Sequence, residues 1–169
     1  REARMNAWPN FMTPAAGEQV HFIHARSKHE DATPIVLTHG WPDAPITWTP
    51  IAQALSKKGL RVIAPALRGF GGTRFLSVQT PRSGQLASLG RDMLDFIDAL
   101  DLTNPILVGH DWGARAVANA VGLRPGVASH LVMLSVGYGT NDPNQTLSYA
   151  QTRSYWYHWF MARSEEHTS

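Results

Sequence analysis

The chain has no cysteine among its 169 residues, which excludes disulfides, thiolate nucleophiles and cysteine-based metal sites. Nor does it have an apolar run near the roughly 20 residues that a membrane-spanning helix needs, or a signal-peptide core at its N-terminal end. Charge of one sign is also scarce. Fifteen Lys and Arg against 13 Asp and Glu leave a net charge of +2, without a basic run, so nucleic acid is not implied as a partner. Internal repeats and low-complexity segments are missing too. These absences predict a globular, cytoplasmic protein that needs no metal or cofactor and touches no membrane.

What is present is a regular alternation of apolar segments. Residues 18–25, 34–38, 60–64, 106–108 and 130–136 read as strands, most of them continuous apolar runs of the kind buried on both faces of a parallel sheet. Between them, residues 45–58, 85–100 and 112–123 carry apolar positions at helical spacing. The alternation predicts an α/β protein whose mostly parallel sheet has helices on both faces. His21 and His24 fall on opposite faces of their strand and so do not converge on a metal. Asp92, Asp95 and Asp98, on the flank of the 85–100 helix, read as a solvated face. The stretch Arg68-Gly69-Phe70-Gly71-Gly72-Thr73 has neither the lysine of a phosphate-binding loop nor dinucleotide spacing, and reads as a plain loop.

The chain is organised around residues 104–114, where Ile106, Leu107 and Val108 run straight into Gly109-His110-Asp111-Trp112-Gly113 and then into a helical pattern. Glycines on both sides of Asp111 allow the sharp turn by which a strand hands over to a helix and lifts one side chain above the sheet. In most such elbows that residue is Ser, whose hydroxyl needs a base before it attacks. A carboxylate is already ionised at neutral pH. Its natural target is a tetrahedral carbon bearing a leaving group, giving an ester that water later cleaves. The helix N-terminus beside it favours negative charge. Asp is equally a good helix cap, and the elbow gains weight only with a second motif, His39-Gly40-Trp41-Pro42, at the end of an earlier strand.

With both motifs in hand, the chain resembles the α/β-hydrolase superfamily and, within it, the epoxide hydrolases. His39-Gly40-Trp41-Pro42 matches that group's His-Gly-x-Pro loop, and Gly109 to Gly113 matches its aspartate elbow. The resemblance implies the N-terminal part of an α/β-hydrolase core over residues 1–140 and the beginning of a lid over 141–162. It implies Asp111 as the nucleophile that forms an alkyl ester, and the main-chain N–H groups of Trp41 and Trp112 as the oxyanion hole. His39 would order its loop and take no part in proton transfer. A lid tyrosine would protonate the epoxide oxygen, Tyr157 by alignment and Tyr155 otherwise. Trp41, Trp112, Tyr155 and Tyr157 would line the substrate pocket. The implied partners are an epoxide, or a related small electrophile, and water.

The competing functions are separated by single residues. A haloalkane dehalogenase typically has Asn where this chain has Trp41, and a fluoroacetate-type dehalogenase has Arg where it has Trp112; esterase chemistry is disfavoured by Asp111 in place of Ser. A non-catalytic binding protein on the same fold is the alternative of a different class. Residues 163–169, Arg-Ser-Glu-Glu-His-Thr-Ser, resemble a translated sequencing adapter, so the native sequence is expected to stop near Ala162, and a chain beginning with Arg1 is expected to lack its start. In this family the catalytic histidine, its acidic partner and a second lid tyrosine follow the lid. The fragment by itself is therefore expected to be inactive.

Overall fold

The computed structural model describes residues 17–25, 32–136, 146 and 148–156, together with the main chain of 10–15. The chain forms two compact units, Arg1–Tyr138 and Gly139–Ser169. The first holds strands β1 (Asn10–Ala15), β2 (Glu18–Ala25), β3 (Pro34–Thr38), β4 (Arg61–Pro65), β5 (Arg74–Phe75), β6 (Ile106–His110) and β7 (His130–Leu134). Its helices are α1 (Thr49–Lys57), α2 (Leu86–Ala99) and α3 (Trp112–Leu123); α4 (Tyr149–Ser154) belongs to the second unit. Among the described residues no helix is long and apolar enough to cross a membrane.

Among the described residues the sheet has seven strands in the order β1-β2-β4-β3-β6-β7, with the short β5 paired to β2. Strands β4, β3, β6 and β7 run parallel to one another, whereas β1, β5 and β4 all pair antiparallel with β2. Alternation along the strands sends side chains to two apolar layers. Val36, Ile63 and Leu107 face Met93 and Ile97 of α2 and Val117 of α3. Ile35, Val62 and Val108 face the opposite side, against Trp48 and Ala52. Helices thus cover both faces, as the alternating pattern predicts.

Three segments differ from the expectation. Residues 45–58 start as a 3-10 turn, Pro45–Trp48, and become α-helical only from Thr49, because Pro50 lacks the N–H that a continuous helix would need and fits instead in a first turn. Strand β1 escapes a pattern reading because it carries Pro14; it lies at the sheet's edge, where a missing ladder donor is tolerated. Strand β7 stops at Leu134 because Ser135 turns to a φ of 61°.

The acidic flank of α2 is not a uniformly solvated face. Steps of three residues advance 300° around a helix, so Asp92, Asp95 and Asp98 fan across about 120°. Asp98, at the outer end, pairs with Arg124, and Asp95 pairs with Arg91 one turn earlier. Asp92, at the inner end, is half-buried and takes both prongs of the Arg68 guanidinium. The same guanidinium lies 3.7 Å from Oε1 of Glu18, a side chain only 1% exposed. Burial, and repulsion from Asp92, push the Glu18 carboxyl up to about 7 against the pull of Arg68.

Raised in the folded state, this pKa makes the protonated Glu18 the stabilising form. The contribution is full at and below its ordinary value of 4.5 and is lost as pH rises through about 7. Glu18→Gln imitates the protonated form at every pH. Urea denaturation of both proteins at pH 4.5 and 7.5 should show the variant gaining up to about 3 kcal/mol relative to the parent at the higher pH. A difference between the two proteins that does not change with pH would reject this account.

Candidate active site

The chain crosses from β3 through α1 to β4 on one side of β3, and later through α2 to β6 on the other. The carboxyl ends of β3 and β6 therefore meet where the direction of winding changes, the position at which open α/β sheets bind ligands. The parallel register sets Leu37 beside Val108 and Thr38 beside Gly109. Continued two residues further, it brings Gly40 alongside Asp111. This is the meeting of the two motifs.

Asp111 occupies the single residue between β6 and α3, with φ 54° and ψ −117°. A side chain rarely adopts that conformation, and holding it costs on the order of 1–3 kcal/mol. Three contacts hold it. The Asp111 N–H donates to Leu134 O at the end of β7 (3.1 Å), and Asp111 O accepts the first bond of α3 from Arg115 N–H (3.3 Å). From the other side, Trp41 N–H donates to Asp111 Oδ1 at 3.0 Å. Close packing makes this possible: a Cβ on Gly40 would stand 2.5 Å from Asp111 Cβ, and one on Gly113 would strike the main-chain oxygens of Thr38 and His39.

The loop that carries Trp41 is itself pinned. Gly40 O accepts from Asp43 N–H at 3.0 Å across a turn whose Trp41–Pro42 peptide is cis. His39, 1% exposed, lies beneath. Its Nε2 is 3.1 Å from Leu67 N–H and must accept, so the hydrogen-bond network assigns the ring proton to Nδ1, which donates to Gly40 O at 2.9 Å. Burial holds the His39 pKa below the ordinary imidazole value, partly offset by the Gly40 bond and the charge of Asp43. A neutral ring with both nitrogens engaged is a strut.

The structure thus brings Asp111 and Trp41 into contact and places Trp112 next to them as the first residue of α3, whose N–H has no acceptor within its own helix. The Trp112 ring packs against the cluster of Leu67, Leu89 and Ala116, with the Arg115 guanidinium 6.0 Å from its centre. Tyr155 is the C-cap that follows α4 in the second unit and is exposed. Tyr157 and residues 163–169 lie outside the described residues. Sequence reading missed the part of Leu67, which acts through its main chain.

Comparison with known proteins agrees with this geometry. Residues 33–164 match the family described as alpha/beta hydrolase fold, and residues 1–48 match the epoxide hydrolase N terminus. The epoxide hydrolase of Caballeronia sordidicola is 38% identical over 115 residues, which is 66% of this chain and 33% of that protein. A solved structure from Klebsiella pneumoniae is 34% identical, with a TM-score of 0.81, over 89% of this chain and 50% of that one. The epoxide hydrolase VrEH1 of Vigna radiata is 27% identical with a TM-score of 0.73, over 90% of this chain and 48% of its own. The chain belongs to the α/β-hydrolase family. Within that family it is epoxide hydrolase-like, and it spans about a third of the curated relatives' length, as the 33% coverage illustrates.

The strain at Asp111 is open to measurement. At an ordinary position Ala is more stabilising than Gly by roughly 0.5–1 kcal/mol. At this φ and ψ the order should reverse, with Asp111→Gly more stable to urea than Asp111→Ala by about 1–2 kcal/mol. Because both variants lose the carboxylate, the Trp41 bond cancels from the comparison. The ordinary order would show that the elbow is relaxed.

Proposed function

We propose that this chain carries the nucleophile half of an epoxide hydrolase. The observation that carries the reading is the bond from Trp41 N–H to Asp111 Oδ1 across a strained strand-to-helix elbow. A main-chain donor there orients the carboxylate and stands where negative charge later develops. One Asp111 oxygen attacks an epoxide carbon, the ring C–O bond breaks, and its electron pair leaves on oxygen. Tyr157, or Tyr155 in its place, gives that oxygen a proton, and an alkyl ester remains on Asp111. Water then adds to the ester carbonyl. The Trp41 and Trp112 N–H groups hold the resulting oxyanion, and its collapse releases the diol and restores the carboxylate.

Trp41, Trp112, Tyr155 and Tyr157 line the substrate site in this reading, and residues 141–162 begin a cap. Activation of the water needs a base. His39 does not supply it, because Leu67 N–H occupies its acceptor nitrogen. Since the resemblance puts the catalytic histidine after the lid, the 169 residues alone are expected to stop at the ester. The zero-cysteine composition supports placing the reaction in a reducing compartment, the cytoplasm.

Mixing the chain with an aryl epoxide should add one equivalent of mass that persists, and peptide mapping should place it on the peptide containing Asp111. An adduct elsewhere, or one that also forms on Asp111→Ala, would overturn the assignment, and sustained turnover abolished by Asp111→Ala would show that a base is already present.

The same adduct clock tests the acid. Tyr157→Phe keeps the ring and removes the donor, so ester formation should slow by around 10²-fold. An unchanged rate in Tyr157→Phe and a slow one in Tyr155→Phe would move the role to Tyr155.

A further inference from the structure

Thr73 lies in the loop between β4 and α2 and is 3% exposed. Its hydroxyl accepts from His21 N–H at 3.2 Å and donates to Ala66 O at 2.8 Å. Ala66 O and Leu67 N–H are the two ends of one planar peptide unit, so a bond that fixes one aims the other. Leu67 N–H donates to His39 Nε2, and His39 Nδ1–H donates to Gly40 O. Gly40 O and Trp41 N–H are again two ends of one peptide unit, and Trp41 N–H reaches Asp111 Oδ1. Every bond from His21 to Asp111 points the same way, donor to acceptor, ending on a carboxylate.

We infer that Thr73 is a positioning residue for the Trp41 N–H, acting through two peptide planes and the His39 ring that joins them. Aligned bonds of this kind polarise one another in a low-dielectric interior, so the hydroxyl at one end strengthens the donor at the other. The inference rests on the proposed function only in giving Trp41 N–H a catalytic purpose; the relay itself is independent of turnover. An apolar side chain of the same shape at position 73 would leave the Ala66–Leu67 peptide without its anchor. His39 would then lose one of the two bonds that select its tautomer, the other being its own bond to Gly40 O, while the fold around it kept its packing.

The test is the tautomer of His39, read from imidazole ¹⁵N resonances of the 169-residue chain between pH 6 and 8. The wild type should show His39 as one tautomer, protonated on Nδ1. Thr73→Val, which keeps the shape and removes the hydroxyl, should admit a minor population of the Nε2-protonated tautomer against the pull of Gly40 O, and Thr73→Ser should restore the single one. A purely structural role would lower stability in Thr73→Val and leave the tautomer alone, and that result overturns the proposal. Should Thr73→Val fail to fold, Thr73→Cys retains the bulk with a much weaker donor. Exchange of the Leu67 amide should then be at least tenfold faster than in the wild type while the Ile63 amide is unchanged; equal Leu67 rates overturn the proposal. Absence of an epoxide adduct on wild-type Asp111 would reject the reaction alone and leave the tautomer test standing.

Discussion

The site depends on how closely β3 and β6 can run together at their carboxyl ends. With the parallel register carried through Thr38 and Gly109, the next residues would collide if either motif carried an ordinary side chain at its glycine. Gly40 and Gly113 remove that obstacle, and a hydrogen bond from Trp41 N–H to the Asp111 carboxylate closes the remaining gap. Backbone conformation, hydrogen bonding and close packing are all met by the same few residues. A local change there has no slack to absorb it.

Much of this was legible in the sequence. The glycine spacing around Asp111 marked the elbow, and the helix expected over 112–123 is the one observed. The apolar runs marked the parallel strands because burial on both faces leaves no polar alternation to confuse. What the sequence concealed has physical reasons. Asp92 looked like its neighbours Asp95 and Asp98 because a three-residue spacing reads as one face, although the helix carries it round toward Arg68 and Glu18. The links that reach Ala66, Leu67 and Gly40 end on main-chain groups, which side-chain patterns do not encode.

Two buried ionisable groups respond to acid in opposite senses. The Glu18 carboxyl, raised by burial, favours the folded state most when protonated. The His39 ring, lowered by burial, favours it when neutral, so its contribution is present above the ordinary imidazole pKa of about 6.5 and is lost as pH falls through its folded value. Both answer the same constraint, the reluctance of a low-dielectric interior to hold charge. One sits where α2 meets the loop after β4, the other under the candidate oxyanion loop. On the acid side of neutrality, where both groups titrate, their contributions therefore change in opposite directions.

The Asp111 N–H ends on Leu134, the last residue of β7, and that strand is the outermost of the sheet among the described residues, with Leu131, Val132 and Leu134 exposed. Outer strands open more readily than central ones, by local excursions that leave the rest of the fold intact. Within the 169 residues taken by themselves, the elbow is thus moored to an outer strand. Each such excursion releases one of the three tethers on a strained backbone, so the lifetime of the correctly aimed carboxylate is set less by the rigid core beneath it than by how well the outer strand is covered.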